Sequence, residues 1–464
     1  MIVVGGGLAG LSSGVALAEH GYRVLLLERR PHLGGRATSY DLPHGEHVDN
    51  CQHVTLGCCT NLEDFYRRAG AEGKIRFYDR LYFADRQGRR GTIAPSFLPA
   101  PLHLAPSFAA LPLFTASEKS AIARGMRAVA REQAAPPSPP MTMLEWLRSR
   151  GQPPRVIENF WRVVLVSALD EELGRTDAAY GIQVFWKAFL AARRGFEVGI
   201  PSVPLAELYD GCRAAVERRG GEVRSRAAVR AIEVSGGVFA GVRLDDGSTL
   251  RADSCIAAVP HTELLELLPA GLAASEPAFA NLKKLGVAPI TGVHFWFDCV
   301  LMSEPFLTLF ERTTQWIFNK TLLCPKAVPP GSAEQYLQLV ISASYDLVPK
   351  SRQEIIDLCL ADLREVLPAA RDAKLLKATV IKETAATFSP APGCDLWRPP
   401  QVSPVRNLFL AGDWTRTGWP ATMEGAVRSG YLAAEAILAA DGSTARLIKP
   451  DLPVAPLARL MARI

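Results

Sequence analysis

Residues 1–28 read "MIVVGGGLAGLSSGVALAEHGYRVLLLE". Three β-branched apolar residues lead into a glycine-rich turn. A stretch with helical spacing follows and closes at Gly21, and "RVLLLE" is a second apolar strand, so the segment reads as a βαβ unit. Gly5, Gly7 and Gly10 form G-x-G-x-x-G between strand and helix, and Glu28 ends the second strand. In that context each residue has a physical task. Gly5 permits the tight turn, Gly7 lets backbone approach a pyrophosphate, and Gly10 allows close helix packing. The helix N-terminus attracts the negative charge, and Glu28 can accept hydrogen bonds from a ribose diol.

The rest of the chain narrows the nucleotide. "RRPHLGGRATSY" places Gly34, Gly35 and Arg36 just beyond Glu28, where backbone amides and a guanidinium can make a second phosphate contact. Near the far end, "LFLAGDWTRTGWPATMEGAVRSG" reads as a strand, then Gly412-Asp413, then a helix whose first turn carries Glu424, Gly425 and Ala426. Asp413 can bind ribityl hydroxyls, and the helix dipole can stabilise negative charge on a reduced flavin. A second nucleotide motif is missing from the sequence, so FAD fits better than NAD.

A length of 464 residues suits two interleaved domains. The composition, 48% hydrophobic and 21% charged, is that of a globular protein, and a net charge of +5 without long basic runs argues against nucleic acid. Nine cysteines without regular spacing suggest thiols in a reducing compartment. The chain opens directly in a strand, leaving no room for a signal peptide, so a cytoplasmic protein is expected. Residues 96–114 carry no formal charge, but four prolines forbid a regular spanning helix. With the basic helix "SEKSAIARGMRAVAREQ" they are a candidate for peripheral seating on the inner face of the cell membrane.

"NLEDFYRRAG" reads as a helix capped by Thr60 or Asn61, and a linker is expected at "GEHVDN". "GGEVRSRAAVRAIEV" and "GVFAGVRLDDGSTLRADSCIAAVP" alternate around Gly236-Gly237 and Asp246-Gly247, which reads as consecutive hairpins. "GIQVFWKAFLAARRG" reads as a helix carrying Phe185, Trp186 and Phe189, and the closing "LARLMARI" as a solvated tail or a second lipid-facing stretch. The expected architecture is α/β. A Rossmann-like FAD-binding domain of the glutathione reductase type takes residues 1–75, 200–285 and 400–442. An interleaved α+β substrate domain takes 76–199 and 286–399, and 443–464 form a C-terminal tail.

"ERRPHLGGR", the late "AGDW" and the split of nucleotide segments between both chain ends resemble the FAD-dependent amine oxidase and phytoene desaturase superfamily. Within it, "VDNCQHVTLGCCTNLEDFYRR", "KIRFYDRLYF", "LPAPLHLAPSF" and "LAGDWTRTGWPATMEGAVRSGYLAA" look like the hydroxysqualene dehydroxylases, also called squalene-associated FAD-dependent desaturases. The resemblance implies noncovalent FAD and reductive removal of the allylic hydroxyl of hydroxysqualene, giving squalene for hopanoid biosynthesis. It implies cofactor contacts from Gly5, Gly7, Gly10, Glu28, Arg29, Gly34, Gly35, Arg36, Val229, Gly412, Asp413, Met423, Gly425 and Ala426. Cys51 is a departure, since many members carry glycine where the chain passes the flavin.

Hydroxide leaves poorly unless protonated, so an acid is required near the substrate hydroxyl. His53, ahead of Asp49, is the candidate proton donor or polariser, because the resemblance places that stretch beside the isoalloxazine. Both can equally be buried hydrogen-bonding residues that shape the loop. A metal is not expected, since Cys51, Cys58 and Cys59 lack a partner cluster with zinc spacing. A long isoprenoid substrate calls for an apolar tunnel, which Phe185, Trp186 and Phe189 could face. The source of reducing electrons, without an NAD domain, is an external donor. Two other readings stay open: an oxidising desaturase of carotenoid type, and an escort protein that carries prenyl lipids without flavin chemistry. An amine oxidase is the weaker alternative.

Overall fold

The computed structural model describes residues 1–42, 47–327 and 334–463. At its centre lies a five-stranded parallel sheet ordered Glu222–Ser225, Leu25–Glu28, Ile2–Val4, Cys255–Ala257, Leu408–Leu410. Its strands come from three distant stretches of chain. The Leu8–Glu19 helix packs against the Met423–Ala440 helix and the Asp210–Glu217 helix. Small residues make the first contact close: a Cβ added to Gly430 would lie 2.3 Å from the Ala9 carbonyl oxygen.

An antiparallel layer, Val229–Ser235, Val238–Leu244 and Thr249–Leu250, lies between two strands of the central sheet in chain order. Gly236 (φ 58°) and Gly237 (φ 74°) supply the successive left-handed residues that a two-residue hairpin turn requires. The hairpins stop there. Glu222–Ser225 and Cys255–Ala257, at either end of that stretch, pair in parallel in the central sheet. Glu222–Ser225 is an edge strand of mixed exposure, whereas Cys255–Ala257 is buried throughout, as parallel strands are.

A second, seven-stranded sheet is ordered Leu375–Phe388, Val287–Phe297, Gln335–Ile341, Trp316–Asn319, Phe306–Leu309, Leu81–Ala84, Arg90–Ile93. All neighbours are antiparallel except Phe306–Leu309 with Leu81–Ala84. Helices Ala116–Glu132 and Met143–Ser149 each begin at a capping box, Thr115 with Glu118 and Thr142 with Glu145. Residues 157–162 and 186–190 widen into π-helical turns inside longer helices. These turns bring Phe160 and Trp161 against Phe185, with ring centroids 5.6 and 4.5 Å apart. Phe185 and Trp186 are buried in the core.

Three expectations are modified. The Thr60–Arg68 helix has no side-chain cap of its own, and Glu424 accepts from the amides of Asn61 (3.3 Å) and Leu62 (2.7 Å) instead. In "GEHVDN", Gly45 and Glu46 lie outside the described residues, and His47–Asp49 pairs with Ser39–Asp41 as a short strand. The C-terminal stretch is docked rather than solvated: the Lys449 amide donates to Asn61 Oδ1 at 2.8 Å, and the Pro456–Ala462 helix packs on Ala116–Glu132. Ile464 lies outside the described residues.

Candidate active site

A cavity of about 580 Å³ runs between the C-terminal ends of the parallel strands and the seven-stranded sheet. That is the place where α/β sheets present ligands. At its floor the two glycine motifs meet. Gly7 starts the first helix, and a Cβ there would meet only Gly35 Cα, at 3.8 Å. Gly34 (φ 103°) and Gly35 (φ 64°) are both left-handed, so the loop after Glu28 folds back onto that turn. The amides of the first helical turn therefore open onto a bare backbone surface able to take a pyrophosphate.

Glu28 braces this floor. Its Oε2 accepts from the Gly6 amide at 2.7 Å and its Oε1 from the Arg30 amide at 2.8 Å. Arg29 reaches outward to Glu263 at 2.6 Å. Arg36 donates to Asp413 Oδ1 at 2.9 Å and to the Ala386 carbonyl, tying the floor to the far end of the chain. Burial disfavours the guanidinium charge, but Asp413 more than offsets it and holds the Arg36 pKa above its ordinary value.

Twelve of the fourteen cofactor candidates line the cavity, Val229 and Met423 among them. Gly10 and Gly425 do not: a Cβ on Gly10 would lie 1.9 Å from the Gly5 carbonyl oxygen, and one on Gly425 would lie 2.6 Å from that of Pro420. These two glycines serve packing. The residues present suit FAD: bare glycine backbone and helix amides would hold the diphosphate, the Glu28 carboxylate, braced by two backbone amides, would face a ribose, and Asp413 would face a ribityl chain.

Asp49 and His53 part company. Asp49 does not line the cavity. Its Oδ1 accepts from Ser39 Oγ (2.9 Å) and the Leu205 amide (3.0 Å), and its Oδ2 from Lys320 Nζ (2.8 Å), which also donates to Gln52 Oε1 (2.9 Å). Burial opposes its charge, yet Lys320 and the Leu205 amide hold the carboxyl below the usual range, so Asp49 is an ionised acceptor. His53 does line the cavity, and its buried Nδ1 has no hydrogen-bond partner among the described residues. Burial lowers its pKa against the opposing pull of the Cys51 backbone and Asp49, which leaves a neutral imidazole at pH 7.

Between them, Cys51 adopts φ 59° and packs its Sγ against Gly292. A left-handed residue is where glycine would be expected, so the chain keeps the backbone turn with a thiol in place of hydrogen. Cys51, Cys58 and Cys59 are buried free thiols.

Four further residues, none of them among the site candidates, shape the site. Lys320 fixes Asp49, and Glu424 caps the helix after the cysteine pair. Arg398, fully buried, donates to the carbonyls of Asp413 (3.0 Å), Thr415 (2.5 Å) and Trp419 (2.9 Å) and so shapes the loop carrying Asp413. Asp170, at the end of the Val163–Leu169 helix, lines the cavity on the side of the seven-stranded sheet.

The chain matches the family described as flavin containing amine oxidoreductase over residues 8–438. It is a member of that family. The flavoprotein is 28% identical to the 15-cis-phytoene desaturase of Capsicum annuum over 462 residues, covering 94% of this chain and 77% of that one. It is 27% identical to the 15-cis-phytoene desaturase of Synechococcus elongatus (94% and 95% covered) and 26% identical to the zeta-carotene desaturase of Synechocystis sp. (94% and 96%). Among solved structures, an oxidoreductase from Methanosarcina mazei superposes with TM-score 0.73 at 19% identity, covering 94% and 99%. A putrescine oxidase gives 0.69 at 14%, covering 94% and 98%. These two likenesses concern the fold. FAD is the cofactor, and the protein is an oxidoreductase of the amine oxidase and desaturase superfamily.

Proposed function

We propose that this flavoprotein reductively removes the allylic hydroxyl of hydroxysqualene to give squalene. The observation that carries the reading is His53, a neutral imidazole whose buried Nδ1 has no partner among the described residues, on a segment that lines the cavity together with the cofactor candidates and strands of the seven-stranded sheet. Reduced FAD supplies the hydride in such a reaction. The protein's own task is then to hold an apolar substrate against the cavity, exclude water and polarise one C–O bond. His53 can donate a hydrogen bond to the hydroxyl without carrying charge.

The wall on the side of the seven-stranded sheet suits an isoprenoid. Ala168, Ile290 and Val340 face the cavity, and behind Ser167 stands Trp316, whose indole donates to Ser167 Oγ at 2.6 Å and whose ring stacks on Phe318. The test is anaerobic incubation of the dithionite-reduced protein with hydroxysqualene. Squalene detected by mass spectrometry supports the reading, and unchanged hydroxysqualene refutes it. A second reading, dehydrogenation of a linear carotene by the oxidised protein, is favoured by the likeness to the phytoene desaturases. In that event phytoene is consumed aerobically.

Substrate entry from a membrane is part of the proposal. Phe97 is 93% exposed and Leu460 74% exposed, while Arg124 and Arg131 are exposed along the helix on which Leu460's own helix packs. Arg193 donates to the carbonyls of Ser96 and Leu98 on either side of Phe97, so at both places an exposed apolar side chain has an arginine nearby, which suits the surface of an anionic bilayer. Among the described residues no helix is long and apolar enough to cross one. Flotation with vesicles containing phosphatidylglycerol should recover the protein, and Phe97→Ala/Leu460→Ala should lower recovery severalfold. Equal recovery of both proteins would exclude these two side chains as membrane contacts.

A further inference from the structure

Asp170 ends the Val163–Leu169 helix in a left-handed conformation, φ 52° and ψ 35°. That turn directs its side chain into the seam between the helix and the seven-stranded sheet. Oδ1 accepts from the Ala343 amide at 2.8 Å and Oδ2 meets Thr387 Oγ1 at 2.9 Å, and the residue is 3% exposed. Ala343, like Cys51, is left-handed (φ 50°), so two strained backbone positions converge on this corner of the cavity. None of these contacts is a cation.

We propose that Asp170 is the acid that protonates the departing oxygen, with His53 as the neutral group that polarises it. This rests on the dehydroxylation reading above. Asp170 gives its proton to the substrate oxygen as the C–O bond breaks with its electron pair going to oxygen. Water leaves, the carboxylate regains a proton from solvent, and the balance closes because bound reduced FAD would supply the hydride for the allylic carbon and with it both electrons.

The electrostatics agree with the geometry. Burial raises the Asp170 pKa to about 8, against the amide of Ala343 and the hydroxyl of Thr387. Glu171 and Arg36 act on it with opposite signs, and Cys51, Glu383 and Tyr345 also face the same corner. Glu171 is itself occupied, accepting from Ser389 Oγ (2.5 Å) and Tyr345 (2.8 Å) with Arg175 at 3.3 Å. A carboxyl with such a value is protonated at neutral pH and close enough to it to release a proton. His53, whose pKa is lowered, cannot store that proton.

The test combines single-turnover kinetics with infrared spectroscopy on the FAD-loaded protein. In the wild type the dehydroxylation rate should fall as pH rises through about 8, where Asp170 loses its proton. Asp170→Asn should lower the rate by about a hundredfold or more and abolish that limb. Thr387→Val, which removes a hydrogen bond that favours the carboxylate, should move the limb to higher pH. The infrared band of a protonated carboxyl should persist at pH 7 in the wild type and be missing in Asp170→Asn. An unmoved limb in both variants, or a wild type without that band, overturns the assignment. If the wild type converts no hydroxysqualene, the substrate reading fails and the role of Asp170 as its acid fails with it, whereas conversion without the carboxyl band overturns the role of Asp170 alone.

Discussion

Gly7→Val protein is expected to fold with wild-type stability and to purify colourless. Gly7 has an extended backbone, φ −76° and ψ 178°, which any residue can adopt. The nearest atom to a Cβ there is 3.8 Å away, so a side chain can leave the backbone at this position without meeting the protein. What it fills is the space over the first helical turn, where a pyrophosphate would touch backbone amides. The affinity for FAD should drop at least about a hundredfold, equivalent to ~2.7 kcal/mol, as read by flavin absorbance and calorimetric titration. Gly10→Val offers the contrast: its Cβ would lie 1.9 Å from the Gly5 carbonyl oxygen, so the fold itself should fail. A yellow, fully loaded Gly7→Val protein would show that the diphosphate does not lie there.

The second large effect concerns Lys320, whose side chain is 1% exposed against 4% for its partner Asp49. Lys320→Met leaves a buried carboxylate without a cation, which costs about 3–5 kcal/mol. The double variant Lys320→Met/Asp49→Asn keeps the hydrogen bonds from Ser39 and Leu205, removes the orphaned charge, and should recover most of that loss in urea unfolding. The sign of the pH dependence follows from Asp49. Its folded pKa lies below its unfolded value, so the wild-type contribution is present above the ordinary carboxylate range and lost as pH falls through the folded pKa. In Lys320→Met, burial acts without opposition from a cation and the dependence should reverse. Equal stability of single variant and wild type would mean that the pair is not what holds this corner of the site.

Local patterns made the nucleotide half of the molecule legible. Gly5, Gly7, Glu28 and Gly35 lie within one βαβ unit and the turn after it, and spacing alone is enough to set all four along one cavity. The hairpin at Gly236-Gly237 was equally local. Roles set by partners far along the chain were hidden. Asp49 reads as a candidate acid until Lys320, 271 positions away, occupies it. The Thr60–Arg68 helix takes its cap from Glu424, 363 positions from Asn61. In "SALDEELG" Asp170 looks like an ordinary polar helix end, because its burial depends on strands that begin more than a hundred residues later. Alternation was no guide to the parallel strands either. Glu222–Ser225 mixes exposed and buried positions as an edge strand does, and only its pairing with Leu25–Glu28 reveals the sheet to which it belongs.

The central claim is a reduction in which carbon gains hydride and oxygen leaves as water. Its most direct measurement is a single turnover of reduced protein with hydroxysqualene in D2O, followed by mass spectrometry. The flavin N5 hydrogen exchanges with solvent, so the squalene formed should equal the flavin oxidised and carry one deuterium. Flavin that stays reduced with no squalene formed, or squalene free of deuterium, would contradict the account.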